Sequence, residues 1–256
     1  MQVSISRLKN APVTIKNITL NSLNNLKRRA GIGKLKQYAK SYNKPNAIFI
    51  WIPKNAGSST YHHLSAHHCP KLKSLEKVID YFPNTGIVTF GHMDVAKLAS
   101  EHHISKDFYD NSFKFAFSRN PYSRAVSLYS YLKRKAWLPD ISFLNFSRRL
   151  VETRIPDIGL YNQIDLSHCN PQVRWLEHIE IDHIGKVEHY SDDLRKVFSC
   201  LNLPAPSSAV NKNPSKHSSV QSLYCEESKQ IIEHYYQKDF NLLGYSIGLV
   251  EAQKYE

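Results

Sequence analysis

The sequence predicts an α/β protein: a P-loop-like, mostly parallel central sheet flanked by helices, with a basic N-terminal arm ahead of it. Three observations carry that expectation. Short apolar runs recur between stretches of helical patterning, as strands do when helices form the crossovers between them. The first run, AIFIWI, leads straight into PKNAGSST, a donor-rich loop placed at a strand-to-helix junction. The charge is also uneven: of the formal +12, ten Lys and Arg fall within residues 1–44, which hold no acidic residue, leaving +2 for the remainder.

In chain order, residues 1–44 read as a basic arm in which Leu20, Leu23, Leu26 and Ala30 fall on one helical stripe. Such an arm fits anionic lipid, polyanionic glycan, nucleic acid or an organelle transit peptide, and composition does not choose among them. Pro45 marks the boundary, so the expected units are 1–44 and 45–256. Strands are expected over 47–52, 86–90, 113–117 and 182–187, and helices over 58–68, 93–101, 121–135, 170–178, 190–201 and 221–238. Residues 203–219, rich in Pro, Ser and Asn, read as loop. At 41% hydrophobic residues the chain suits one globular domain with appended pieces. No apolar run approaches the roughly 18 residues of a membrane span, and no signal-peptide pattern opens the chain. The expected location is therefore cytoplasmic, peripheral to a membrane through the arm. Cys69, Cys169, Cys200 and Cys225 lie far apart with no C-x-x-C spacing, which indicates neither zinc nor redox chemistry.

The loop carries the chemistry. In a parallel sheet the C-terminal ends of the strands open onto the ligand crevice, and the following helix presents unpaired N–H groups there. Gly57 permits close backbone approach, Ser58, Ser59 and Thr60 add hydroxyls, and Lys54 adds a positive charge, a set suited to phosphate. The loop is not of the G-x-x-x-x-G-K-[ST] type, because its Lys comes first. A plain helix N-cap would explain Ser58 or Ser59 but not Lys54. A second anion site is expected in FKFAFSRNPYSRAVSLYSYLKR, residues 113–134, where Arg119 leaves a strand end, Pro121 opens a helix and Ser127 lies further along it. Taken alone, Arg119 serves equally well as a structural ion-pair residue.

These motifs resemble a known family. IPKNAGSST looks like the 5′-phosphosulfate loop of sulfotransferases, and FSRNPYSRAVSLY looks like their 3′-phosphate motif, in the form found in carbohydrate sulfotransferases of the heparan 2-O-sulfotransferase-like type. NPQVRWL (170–176), DHIGKVEHYSDDLRKV (182–197) and YYQKDFNLLGY (235–245) resemble later blocks of that family, so the likeness spans about residues 46–246. It implies 3′-phosphoadenosine 5′-phosphosulfate (PAPS) as donor and a carbohydrate or glycolipid hydroxyl as acceptor, with no metal ion and no nucleic-acid partner. By the same likeness Lys54, Asn55, Ala56, Gly57, Ser58, Ser59 and Thr60 would hold the 5′-phosphosulfate, and Arg119 and Ser127 the 3′-phosphate. The segment NKNPSKHSS (211–219) resembles the family's closing segment, which makes Lys212 and Lys216 candidate contacts.

Sulfuryl transfer, like phosphoryl transfer, asks for in-line positioning and charge stabilisation. Lys54 is placed to stabilise the leaving phosphate, and His92, directly after the strand 86–90, is the expected general base. Related enzymes carry His-Gly-His where this chain has Phe90-Gly91-His92; Asp94 and Glu188 are the alternative bases. His63 and His67 stand at a metal-compatible helical spacing but lack an evident third ligand. Tyr129, Tyr131, Trp137 and Trp175 suit either a sugar-binding face or the core. Two competing functions are a P-loop-type nucleotide kinase, disfavoured by the position of Lys54, and a non-catalytic polyanion or membrane-surface binder, supported by the arm alone.

Overall fold

Ala47–Ile50 forms the first strand, β1, and all four of its residues are buried. It is an interior strand. Parallel partners flank it on both sides: Ala47 pairs with Ile87 of β2 (Ile87–Thr89) and with Phe113 of β3 (Phe113–Ser118). β4 (His183–Lys186) adds to the far side of β3, with Phe115 opposite His183, and the order is β2-β1-β3-β4. The computed structural model describes residues 45–80, 86–152, 166–206 and 220–248. The arm 1–44 and the segment holding Lys212 and Lys216 lie outside the described residues.

Alternation along the strands divides the core in two, because successive strand residues point to opposite faces. Ile48, Ile50, Val88 and Ala116 meet Val95, Leu98, Phe108 and Trp175 on one face. Ala47, Phe49, Ile87, Phe115 and Phe117 meet Leu64, Leu194, Val197 and Phe198 on the other. Fully burying a side chain such as Phe115 stabilises the fold by about 2–3 kcal/mol. A third cluster joins the later helices, with Tyr122, Leu128, Phe143, Phe146, Ile232 and Tyr236 at its centre.

The helices between the strands start where capping chemistry allows. α1 (Gly57–Ser65) follows β1 directly, and α2 (Leu75–Asp80) precedes β2. α3 (Val95–Ser100) is capped by Asp94, whose carboxylate accepts the Lys97 N–H, and α4 (Lys106–Asp110) by Ser105 in the same way. α5 (Pro121–Arg134) has Asn120 as its cap and Pro121 at its first helical position. α6 (Phe143–Val151) is capped by Ser142. α7 (Tyr190–Cys200) carries Asp192 and Asp193 in its first turn, and the Asp193 carboxylate accepts the Lys186 N–H at 2.7 Å, which ties α7 to the end of β4.

All four expected strands form, but two expected helices differ. Residues 170–178 make only a 3-10 turn, Gln172–Trp175, at whose start the Asp239 carboxylate accepts the otherwise unpaired N–H groups of Gln172 and Val173. The span 221–238 divides into a 3-10 turn (Val220–Leu223), α8 (Glu226–Tyr235) and α9 (Gln237–Leu242), with Tyr236 (φ −101°, ψ 21°) outside helical geometry between the last two. Among the described residues no helix is long and apolar enough to cross a membrane.

Candidate active site

The loop between β1 and α1 is held in an unusual backbone shape. Lys54 (φ 70°) and Ala56 (φ 56°) both occupy the left-handed region, which costs a non-glycine residue about 1–3 kcal/mol. The surroundings supply the restraint. Pro53 presents its carbonyl to Nε of Arg124 at 3.1 Å, and the Lys54 carbonyl accepts from Nη1 of Arg119 at 3.3 Å. Buried Asn55 donates its amide to the Phe117 carbonyl at 2.7 Å and to Oε1 of Gln172 at 2.6 Å. Gln172 is fully buried and closes the junction: Oε1 also accepts the Arg119 N–H at 2.8 Å, and Nε2 donates to the Arg119 carbonyl at 2.8 Å. One amide thus fastens the loop after β1 to the end of β3.

The first intrahelical bond of α1 runs from the Thr60 N–H to the Ala56 carbonyl, and no side chain caps the turn. The backbone N–H groups of Gly57 and Ser58 therefore lie at the helix start, an end suited to an anion. Several side chains of this loop are engaged in the interior. Thr60 is fully buried, and its hydroxyl is engaged with the Ala56 carbonyl and the Tyr190 hydroxyl, each at 3.2 Å. The Asn55 side chain likewise turns inward as a clamp. Gly57 is required by Trp51, since a Cβ there would lie 1.8 Å from Nε1 of the indole. Ser58 is exposed and Ser59 buried.

Cations converge on the loop. The Lys54 ammonium rests 4.4 Å from the centre of the Tyr131 ring. Burial first, then the guanidiniums of Arg119, Arg134 and Arg124, bring its pKa down to about 8. Arg124 is fully buried on α5, and Nη2 donates to the His168 carbonyl at 3.0 Å. Among the described residues no carboxylate lies within ion-pair distance of Lys54 or Arg124, although the Arg124 charge favours the ionised form of the buried Asp239 carboxylate. Ser127, one turn beyond Arg124 on the same helix face, is buried as well. Like charges gathered this closely raise one another's energy, and a polyanion relieves that cost.

His92 follows β2 after a turn at Gly91, whose φ is 61°. Its Nδ1 lies 2.8 Å from the Trp51 carbonyl. A carbonyl only accepts, so Nδ1 carries the proton and Nε2 keeps a lone pair. The ring is packed against Trp51 (5.4 Å between centroids), Trp175 (6.2 Å) and His168 (5.1 Å). Burial lowers its pKa to about 4; the Trp51 carbonyl opposes this, and Lys71, Lys54 and Lys73 add to it. At neutral pH the ring is thus uncharged, the form a base requires. The alternative bases are committed elsewhere: Asp94 caps α3, and Glu188 accepts from the Asn120 N–H at 2.7 Å and the Tyr245 hydroxyl at 3.0 Å. Phe90, standing where related enzymes carry a histidine, is fully buried in the core.

Sequence reasoning missed two residues here. Gln172 lies inside the expected 170–178 helix and His168 just ahead of it, and neither residue type signals a site by spacing. Of the aromatic residues, Trp175 and Tyr129 are core, while Tyr131 faces the Lys54 ammonium and packs against Trp137. His62, His63 and His67 line a separate hollow with Phe198 and Pro204, and no metal-ligating group of three occurs among the described residues.

A parallel sheet whose first strand ends in a strained, cation-lined loop, beside a neutral histidine, is suited to an enzyme that handles an anionic group. The chain belongs to the Sulfotransferase family, whose profile matches residues 43–246. It is therefore a sulfotransferase, which sets aside the kinase and the non-catalytic readings. Over 101 residues, 40% of this chain and 77% of the relative, it is 28% identical to an uncharacterized protein of Archaeoglobus fulgidus. A sulfotransferase crystal structure from Alicyclobacillus acidocaldarius aligns over 79% of this chain and 96% of its own, at 17% identity and a TM-score of 0.49.

Proposed function

We propose that the enzyme moves a sulfuryl group from PAPS to a hydroxyl of a carbohydrate or glycolipid acceptor. The observation that carries this is the concentration of Lys54, Arg119 and Arg124 around the uncapped start of α1, a set that fits a donor with phosphate at both ends. The donor supplies an activated sulfuryl group on a phosphate leaving group. The N–H groups of Gly57 and Ser58, with the hydroxyls of Ser58 and Ser59, hold the 5′ end; Arg119 and Ser127 hold the 3′-phosphate. His92 accepts the acceptor's proton on Nε2 while the acceptor oxygen bonds to sulfur, and the electrons of the broken bond leave on the phosphate oxygen that Lys54 stabilises. Added negative charge beside His92 raises its proton affinity above that of the empty site, which favours its service as a base once donor is in place.

The carbohydrate assignment rests on the likeness of the loop and of the 119–127 motif to glycan 2-O-sulfotransferases, and on Tyr131 beside Lys54 with Trp137 packed against it. Incubation with ³⁵S-labelled PAPS and a panel of glycans and glycolipids tests it. Labelled product with an equal yield of 3′,5′-ADP (PAP) is expected from at least one carbohydrate acceptor. Label transferred only to non-carbohydrate hydroxyls, such as simple phenols, would overturn the acceptor class and leave the donor assignment standing.

A further inference from the structure

We propose that His168 is a positioning residue for His92, backing its imidazole inside the crevice so that the ring stays neutral with Nε2 directed at the acceptor hydroxyl. The inference rests on the reading of His92 as the base. Far apart in sequence, the two rings lie with centroids 5.1 Å apart and planes inclined at 56°. On its other side His168 stacks on Tyr131, at 5.6 Å and 26°, and Tyr131 in turn carries the Lys54 ammonium. Lys54, Tyr131, His168 and His92 thus form one continuous packed row from the leaving-group cation to the base.

The row is anchored from beneath. Arg124 holds the His168 carbonyl through Nη2 and the Pro53 carbonyl through Nε, so one buried guanidinium fixes the donor loop and the second histidine together. His168 is 4% exposed, whereas His92 is only partly buried, which makes His92 the ring open to an acceptor and His168 the ring behind it. Two imidazoles this close do not both take protons. His168 is the less basic partner: burial, then His92, Arg124 and Lys54, bring its pKa down to about 2. The charged groups around the pair are Lys54 from the loop after β1, Lys71 and Lys73 from the segment before α2, and Arg124 from α5. Asp94, two residues beyond His92, is held by the Lys97 N–H.

A neutral imidazole does two things here that no other ring does together. It excludes water from the inner face of His92, as a phenyl would, and it offers a polar edge to the imidazolium that forms during transfer, which a phenyl would not. The two roles separate in two variants of the full-length enzyme. The His92 Cε1–Hε1 signal, followed by NMR from pH 5 to 8, should not titrate in the wild type. In His168→Ala, water enters and the midpoint should move into the window, rising by about one unit or more towards the ordinary histidine value. In His168→Phe the site stays dry and no titration should appear, while kcat for sulfuryl transfer should fall about tenfold, the scale of one lost polar contact. PAP affinity should hold in both. An unmoved His92 signal in His168→Ala, a wild-type kcat in His168→Phe, or His168 taking the first proton would each overturn the proposal. The titration needs neither donor nor acceptor, so its failure is distinct from failure of the base assignment, which shows instead as full turnover in His92→Asn.

Discussion

The loop after β1 and the turn after β2 flank one crevice and treat charge in opposite ways. Around the loop, Lys54 is surrounded by Arg119, Arg134 and Arg124, and the cations are set by backbone and side-chain clamps before any anion arrives. Around the turn, His92 lies among Trp51, Trp175 and His168, and burial keeps it uncharged. The contrast follows from the chemistry proposed for each side. A polyanionic donor gains most from charges already in place, and a base must arrive without a proton. Trp51 belongs to both walls: its carbonyl fixes the His92 tautomer and its indole covers Gly57. Between the Lys54 ammonium and the His92 ring stand the packed rings of Tyr131 and His168.

The largest expected effect comes from removing the base alone. His92→Asn should lower the transfer rate by about 100-fold or more, the usual scale for general-base loss, while PAP affinity measured by calorimetry stays within error. If binding and turnover fell together, the two walls would not be independent.

The next effect is on stability against pH. A histidine held at about 4 in the native protein and near 6.5 unfolded favours the unfolded chain once that chain takes up a proton. Stability should therefore be level above pH 6.5 and be lost as pH falls from 6.5 towards 4, by about 3 kcal/mol from His92 alone. His168 adds in the same direction. Melting curves across this range check it, and a Tm that stays flat to pH 4.5 would mean that the base wall is wet.

Gly57→Ala probes the contact between the walls. The new Cβ would collide with a buried indole, so a loss of about 1–3 kcal/mol is expected in denaturant melts, with a drop in PAP affinity as the start of α1 shifts. The smallest effect is at Ala56, where glycine relieves a left-handed conformation at a cost in unfolded-state entropy. Ala56→Gly should change stability by no more than about 1 kcal/mol, towards greater stability, and should leave PAP binding in place.

The two walls were also unequally legible. The donor wall is contiguous: an apolar strand, a leading Lys and a helix start occur together in residues 46–60, and Arg119 stands at the end of another readable strand. Even there, contiguity could not say which side chains face the crevice. Thr60 falls on the side of α1 that meets Tyr190, and Asn55 is drawn to the Phe117 carbonyl. The base wall is assembled by topology. His92 was readable because it directly follows a strand, but His168 and Gln172 come from an irregular stretch whose N–H groups are bonded to Asp239 on a distant helix. α6 was missed despite carrying its own signal, a Ser142 cap followed by Phe143, Phe146 and Leu150 on one stripe.

Whether the cationic wall holds the donor and the aromatic wall does not is tested most directly by calorimetric titration of PAP into four proteins: wild type, Lys54→Ala, Arg119→Ala and His92→Asn. One PAP per wild-type chain is expected, with undiminished affinity in His92→Asn and losses of about tenfold or more in Lys54→Ala and Arg119→Ala, the scale of a charge-assisted contact. Equal affinity in all four, or a loss confined to His92→Asn, would contradict this expectation.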